Sequence, residues 1–182
     1  RMLAAGTEDR RPALILVRTR ELAVQVEEEA LKLGKHTGIH AASFYGGVGY
    51  QQQEEALKNG VDLIIGTPGR VIDLEKSKTM KLKNVGFLVV DEADRMFDMG
   101  FYPDLRSLLS VLSKAEERQT MLFSATLNTW VKNLAWEYTI DAKEITIDAD
   151  NVTVDEINQK LFHVAAEQKM SLLLGILHNE KP

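Results

Sequence analysis

The chain has 182 residues, 45% of them hydrophobic, a formal net charge of −5 and no cysteine. That length suits one full α/β domain with little left over, and the lack of cysteine excludes disulfides, thiolate zinc sites and a cysteine nucleophile. Apolar runs reach five or six residues, too short to span a bilayer; the simplest reading is a soluble intracellular protein, cytoplasmic, without a membrane partner.

Taken in order, Arg1–Gly6 ("RMLAAG") reads as the last turn of a helix closed by glycine. Strands are expected at Ala13–Val17, Ile39–Tyr45, Val61–Gly66, Val85–Val90, Thr120–Phe123 and Glu144–Ile147. Several are nearly continuous in apolar residues, as strands covered on both faces of a parallel sheet are. Between them fall helices. In the first, Leu22, Val26, Ala30 and Leu33 share one face at helical spacing. Others are expected over Gln51–Lys58, Val71–Lys76, Pro103–Leu112 and Asn128–Tyr138. After Asp155, a fresh strand and helix are expected. Strand–helix alternation of this kind predicts a doubly wound, mostly parallel α/β sheet.

The first five strands end in "RTRE", "YGGVG", "TPGR", "DEAD" and "SAT". Ligands of open parallel sheets bind at the carboxyl ends of the strands, so these five endings converge on one functional edge. The net negative charge disfavours capture of nucleic acid by a broad basic face, yet a few arginines and backbone amides suffice for local phosphate contacts.

In "VVDEAD" an apolar strand carries Asp91 at its tip. An acidic solvated turn is one reading. The other is a metal site, since magnesium takes one or two carboxylates and completes its octahedron with water and phosphate oxygens. Asp91 is placed to hold it, directly or through water, and Glu92 to orient and polarise an attacking water. In "LFSATLN", Ser124 and Thr126 suit an N-cap, a role Asn128 also suits. Their hydroxyls can instead bond Asp94 and report the state of the neighbouring site. "GTPGRVIDL" places Thr67, Pro68, Gly69 and Arg70 at a helix start, a ready anion site. "RTRELAVQ" similarly puts Thr19 and Arg20 at a helix start; Gly46 and Gly47 read as an ordinary turn, or as a place where a sugar–phosphate chain could approach closely. "LGKHTG" is no phosphate loop, which needs G-x-x-x-x-G-K-[ST] after a strand. His36 and His40, with Gly38 between them, make no helical metal pair.

The ordered set Thr19-Arg20-Glu21-Leu22-Ala23, Gly46-Gly47, Thr67-Pro68-Gly69-Arg70, Asp91-Glu92-Ala93-Asp94 and Ser124-Ala125-Thr126 resembles the DEAD-box ATP-dependent RNA helicases. The resemblance runs from about Pro12 to Thr126 and includes "RMFDMGF". It implies a first RecA-like domain over 1–150 and the opening of a second over 151–182. It also implies ATP and Mg2+ as cofactors and RNA as partner. By the same resemblance Asp91 binds magnesium and Glu92 activates the hydrolytic water, while Asp94, Ser124 and Thr126 link ATP state to unwinding. Thr19, Arg20, Gly46, Gly47 and the Thr67–Arg70 turn would hold one RNA strand by its backbone. The family usually has proline where Arg18 stands; the arginine adds charge beside the RNA path. The family's adenine-binding glutamine motif and phosphate loop are expected upstream of Arg1, and its second-domain arginines beyond Pro182, which leaves this segment, taken alone, without a complete ATP site. A nonenzymatic RNA-binding or scaffold module and a DNA-directed helicase are the competing readings.

Overall fold

The computed structural model describes residues 11–147 and 160–180. Five parallel strands form its sheet: β1 (Ala13–Leu16), β2 (Ala41–Phe44), β3 (Leu63–Gly66), β4 (Phe87–Val90) and β5 (Gln119–Leu122), in the order β2-β3-β1-β4-β5. The helices are α1 (Arg20–Gly34), α2 (Gln51–Asn59), α3 (Pro68–Lys76), α4 (Ala93–Asp98), α5 (Tyr102–Val111), α6 (Thr129–Tyr138) and α7 (Lys169–Glu180). No described helix is long and apolar enough to cross a membrane.

Alternation along each strand sorts side chains onto two faces. Leu14, Leu16, Phe44, Ile64, Leu88 and Val90 enter a large core with Val71, Leu74, Met96, Leu105, Leu108, Val131 and Leu134 of α3 to α6. Ile15, Val17 and Ile65 pack on the opposite face against Leu22, Ala23, Val26 and Ala30 of α1. Gly66 is where α3 closes on the sheet: a Cβ there would lie 2.5 Å from Val71 Cγ2 and 3.0 Å from the Phe44 carbonyl oxygen.

Local chemistry explains the helix starts. Thr19 caps α1, its hydroxyl accepting the Leu22 N–H at 3.3 Å, and Pro68 opens α3, where its missing N–H leaves no bond unmade. Asn128 caps α6, its side-chain oxygen accepting from Trp130 and Val131 at 3.1 and 3.0 Å.

Several expectations are corrected. Glu144–Ile147 forms no strand; Ile145 and Ile147 are exposed, and no strand among the described residues pairs with them. Of the strand expected after Asp155, residues 156–159 lie outside the described residues and Lys160–Ala165 is irregular; a strand exists only through its ladder. Leu33, expected on the buried face of α1, is 84% exposed. The acidic turn runs directly into α4, a helix not expected from the sequence. Arg1–Gly6 lies outside the described residues. The chain divides into two units, Arg1–Lys143 and Glu144–Pro182; in the second, a short 3-10 turn at Ala166–Gln168 leads into α7.

Candidate functional site

Because all five strands are parallel, their carboxyl ends share one edge, and strand order divides that edge in two. The loops after β2, β3 and β1 stand side by side; those after β4 and β5 form the other half.

On the second half, β4 delivers Asp91 one residue past its last ladder position. The Asp91 N–H donates to the Leu16 carbonyl at 3.0 Å, which pins the backbone. Its Oδ1 accepts the Glu92 N–H at 2.9 Å, and no described residue bonds Oδ2. Glu92 turns the chain into α4 with a left-handed backbone, φ 49°, a conformation that is strained for a side chain of this size.

Asp94 is buried, 5% exposed, and its carboxylate is satisfied from β5's loop. Oδ2 accepts the Thr126 N–H at 3.0 Å and the Thr126 hydroxyl at 2.9 Å, and Oδ1 accepts the Arg95 N–H at 2.9 Å. The Asp94 N–H donates to Ser124 Oγ at 3.3 Å, whose own proton goes to the Thr126 carbonyl at 2.8 Å. Burial pushes this carboxyl up, but the Thr126 hydroxyl and the Arg95 and Thr126 amides outweigh it and hold it below its ordinary value. Asn128 performs the capping of α6, so Ser124 and Thr126 are free for Asp94. Phe97 of α4 and Trp130 of α6 stack with centroids 4.6 Å apart, fastening the two helices that carry these groups.

On the first half, Gly46, Gly47 and Gly69 face open space; a Cβ at any of them would meet nothing within 4 Å. Gly47 also has φ +81°, which favours glycine. Arg20 lies exposed at the start of α1 with its guanidinium 5.0 Å from the Tyr45 ring centroid. Thr67 precedes α3 and is half-buried; Pro68 is buried. Arg70 turns its charge inward. It is 7% exposed, donates to Gln53 Oε1 at 3.0 Å and to the Val48 carbonyl at 2.9 Å, and sits 4.1 Å over the Tyr50 ring. Gln53, buried in turn, donates to the Tyr45 carbonyl at 3.1 Å. Arg70 and Gln53 therefore brace the glycine loop from behind. Gln53, Tyr45 and Tyr50 were not singled out in the sequence; only its spacing of three and four from Ala56 and Leu57, on the inward face of α2, sets Gln53 apart from Gln51 and Gln52.

Where the halves meet, Arg18 and Glu92 join as an ion pair through Nε and Oε2. An open cleft of about 350 Å³ between Pro12, Leu57, Val61 and Met80 lies at the amino ends of the strands, away from all of these groups.

The donor set fits magnesium: one rigid carboxylate with an unspent oxygen, at an open edge, is what a cation finished by water and phosphate needs. No three potential ligands converge into a protein cage among the described residues.

The sequence matches the model of the DEAD/DEAH box helicase family over residues 2–134. The chain belongs to that family. An ATP-dependent RNA helicase RhlB from Pseudoalteromonas atlantica is 44% identical over 170 residues, covering 93% of this chain and 40% of the relative; its Pasteurella multocida counterpart is 46% identical over the same shares. The chain thus spans about two fifths of the length of these curated relatives. Among solved structures, a hypothetical ATP-dependent RNA helicase from Sulfolobus tokodaii aligns with TM-score 0.68 and 30% identity, over 73% of this chain and 39% of that one. The yeast DEAD-box splicing factor Prp28 aligns with TM-score 0.67 and 32% identity, over 77% and 33%. The sheet is accordingly that of the RecA-like domain of DEAD-box helicases.

Proposed function

We propose that this chain supplies the magnesium-facing and RNA-facing edge of an ATP-dependent RNA helicase, which uses ATP hydrolysis to separate or remodel short RNA duplexes in the cytoplasm. The observation that carries the reading is the adjoining pair of carboxylate arrangements after β4: Asp91 with an oxygen to spare, and Asp94 with its Oδ2 bonded twice to the β5 loop.

In this reading Asp91 holds Mg2+, directly or through water. Bound there, the ion would supply positive charge to offset the negative charge that develops during phosphoryl transfer. Glu92, next in the chain but aimed differently by its left-handed backbone, orients and deprotonates the attacking water. Asp94, Ser124 and Thr126 act as a hinge pin: any shift of Asp91 and Glu92 is passed through α4 to the β5 loop. RNA lies across the other half of the edge. Gly46, Gly47 and Gly69 admit its backbone, Thr19, Arg20 and Thr67 bond its phosphates, and Pro68 sets the angle of α3 against it. Contacts of this kind bind without choosing sequence. Arg70 works at one remove, holding the glycine loop in shape. Residues 151–182 open a second RecA-like domain in the same proposal.

The test is Glu92→Gln, in a polypeptide that carries this segment at the relatives' full length. The amide keeps the shape but accepts no proton, so steady-state phosphate release should fall about 100- to 10,000-fold while RNA binding persists. Wild-type turnover would remove Glu92 from the mechanism.

A further inference from the structure

Arg18 and Glu92 occupy equivalent places two residues beyond the last register pair of adjacent strands, Leu16 of β1 and Val90 of β4. The Asp91 N–H to Leu16 carbonyl bond extends that register, so the two side chains are delivered to one another by the sheet itself. Their side chains are 34% and 38% exposed, and the guanidinium Nε–H donates to the carboxylate Oε2. A proline, the family's usual residue at this place, offers no such donor. Arg18 also directly precedes Thr19 and Arg20, at the start of α1.

We propose that Arg18 is a latch on Glu92. The ion pair holds the carboxylate across the edge toward β1, away from a water attacking a phosphate, and a backbone phosphate of bound RNA releases it by competing for the guanidinium. The inference rests on the reading of Glu92 as the general base. Two features make exchange feasible. A partly exposed ion pair is weak, so an incoming anion can displace it. Guanidinium–phosphate pairing is also at least as well matched as guanidinium–carboxylate pairing. Release leaves Glu92 free when RNA is present and restrained when it is absent, which makes hydrolysis responsive to RNA at the catalytic carboxylate itself.

The test is a double-mutant cycle in RNA affinity, read by anisotropy of a labelled single-stranded oligouridylate without nucleotide. It uses the polypeptide at the relatives' full length. Glu92→Gln frees the guanidinium and should tighten RNA binding about two- to fivefold, the range that an exposed ion pair supports; in an Arg18→Gln background the same change should do nothing. RNA-independent ATP turnover of Arg18→Gln should rise by a similar factor, and stimulation by RNA should shrink accordingly. Equal affinity changes in both backgrounds would overturn the latch, as would Arg18→Gln losing turnover as Glu92→Gln does, since the arginine would then be positioning the base productively. Normal turnover by Glu92→Gln would instead sink the base assignment, while the affinity cycle still reads the pair on its own.

Discussion

Past β4 and β5 the polar groups spend themselves on one another, whereas past β2 and β3 the chain presents bare glycine to solvent and keeps its charge behind. Asp94 accepts three bonds from neighbouring residues while buried; Gly46, Gly47 and Gly69 meet nothing. The contrast follows from what each half does in the proposed mechanism. A transmitting contact must be stiff, because slack in a hydrogen-bond network would absorb the movement it should pass on. A surface for a sugar–phosphate chain must be accessible, and it needs stiffness only from underneath. Arg70 and Gln53 provide that.

The comparison breaks most severely at Arg70. Arg70→Met keeps an apolar stem but removes both charge-assisted bonds, to Gln53 and to the Val48 carbonyl. A loss of about 3 kcal/mol is expected, measured by urea unfolding. Hydrogen exchange at residues 46–50 should accelerate, and RNA affinity should fall although the side chain touches no solvent-facing ligand site. Normal exchange in that loop together with lost affinity would mean that Arg70 reaches the RNA directly.

On the opposite half, Ser124→Ala with Thr126→Val takes a hydroxyl donor from the buried Asp94 carboxylate and the acceptor from its N–H, a loss of about 1–3 kcal/mol. ATP hydrolysis should survive and strand separation should fail, read in parallel ATPase and duplex-unwinding assays. Equal loss of both activities would reduce the network to a structural staple. The pH dependence sharpens the point. The Asp94 carboxyl is held below its ordinary 3.8, with burial opposing and the Thr126 hydroxyl and the neighbouring amides prevailing. A lowered carboxyl stabilises the fold above its unfolded value and loses that contribution as pH falls through the folded one. Thr126→Val should therefore move the acid limb of the stability profile to higher pH and leave neutral-pH behaviour free of any titration at this residue.

Much of this was legible in the sequence, for reasons that differ between residues. Strands β1, β3 and β4 read clearly because both of their faces are apolar, β2 and β5 through their place in the strand–helix alternation, and the endings fell on one edge once the strands were taken as parallel. Glu144–Ile147 misled because its composition is strand-like while pairing depends on a neighbour that composition cannot supply. Helix α4 was hidden because Asp-Glu-Ala-Asp reads as a turn; the only helical signal in six residues was Ala93, Met96 and Phe97 at spacings of three and four. Asp94 and Thr126 could be paired in advance, since both follow strands at the same edge. Arg18 stood out as a departure from the family pattern, but its partner became evident only through the register of β1 against β4. For Arg70, an exposed anion-binding charge and an internal brace make the same sequence; burial alone separates them.

The smallest expected change in stability carries the cleanest functional reading. Gly47→Ala would force a side chain into φ +81° and should cost roughly 1 kcal/mol from backbone strain alone, so a loss of RNA binding there would mix strain with obstruction. Gly69 has no such constraint. It lies in the first turn of α3, exposed, with space around the missing Cβ, and alanine at a helical position is favoured over glycine by up to about 1 kcal/mol. Gly69→Ala should therefore leave the melting temperature unchanged or raise it slightly. If RNA approaches the start of α3 as closely as proposed, the added methyl will nevertheless weaken binding of single-stranded RNA, and the loss will persist at high salt because it is steric rather than ionic. A variant that is stabilised and binds RNA as well as wild type would show that the nucleic acid keeps its distance from this turn, and would confine the binding half of the edge to the loops after β1 and β2.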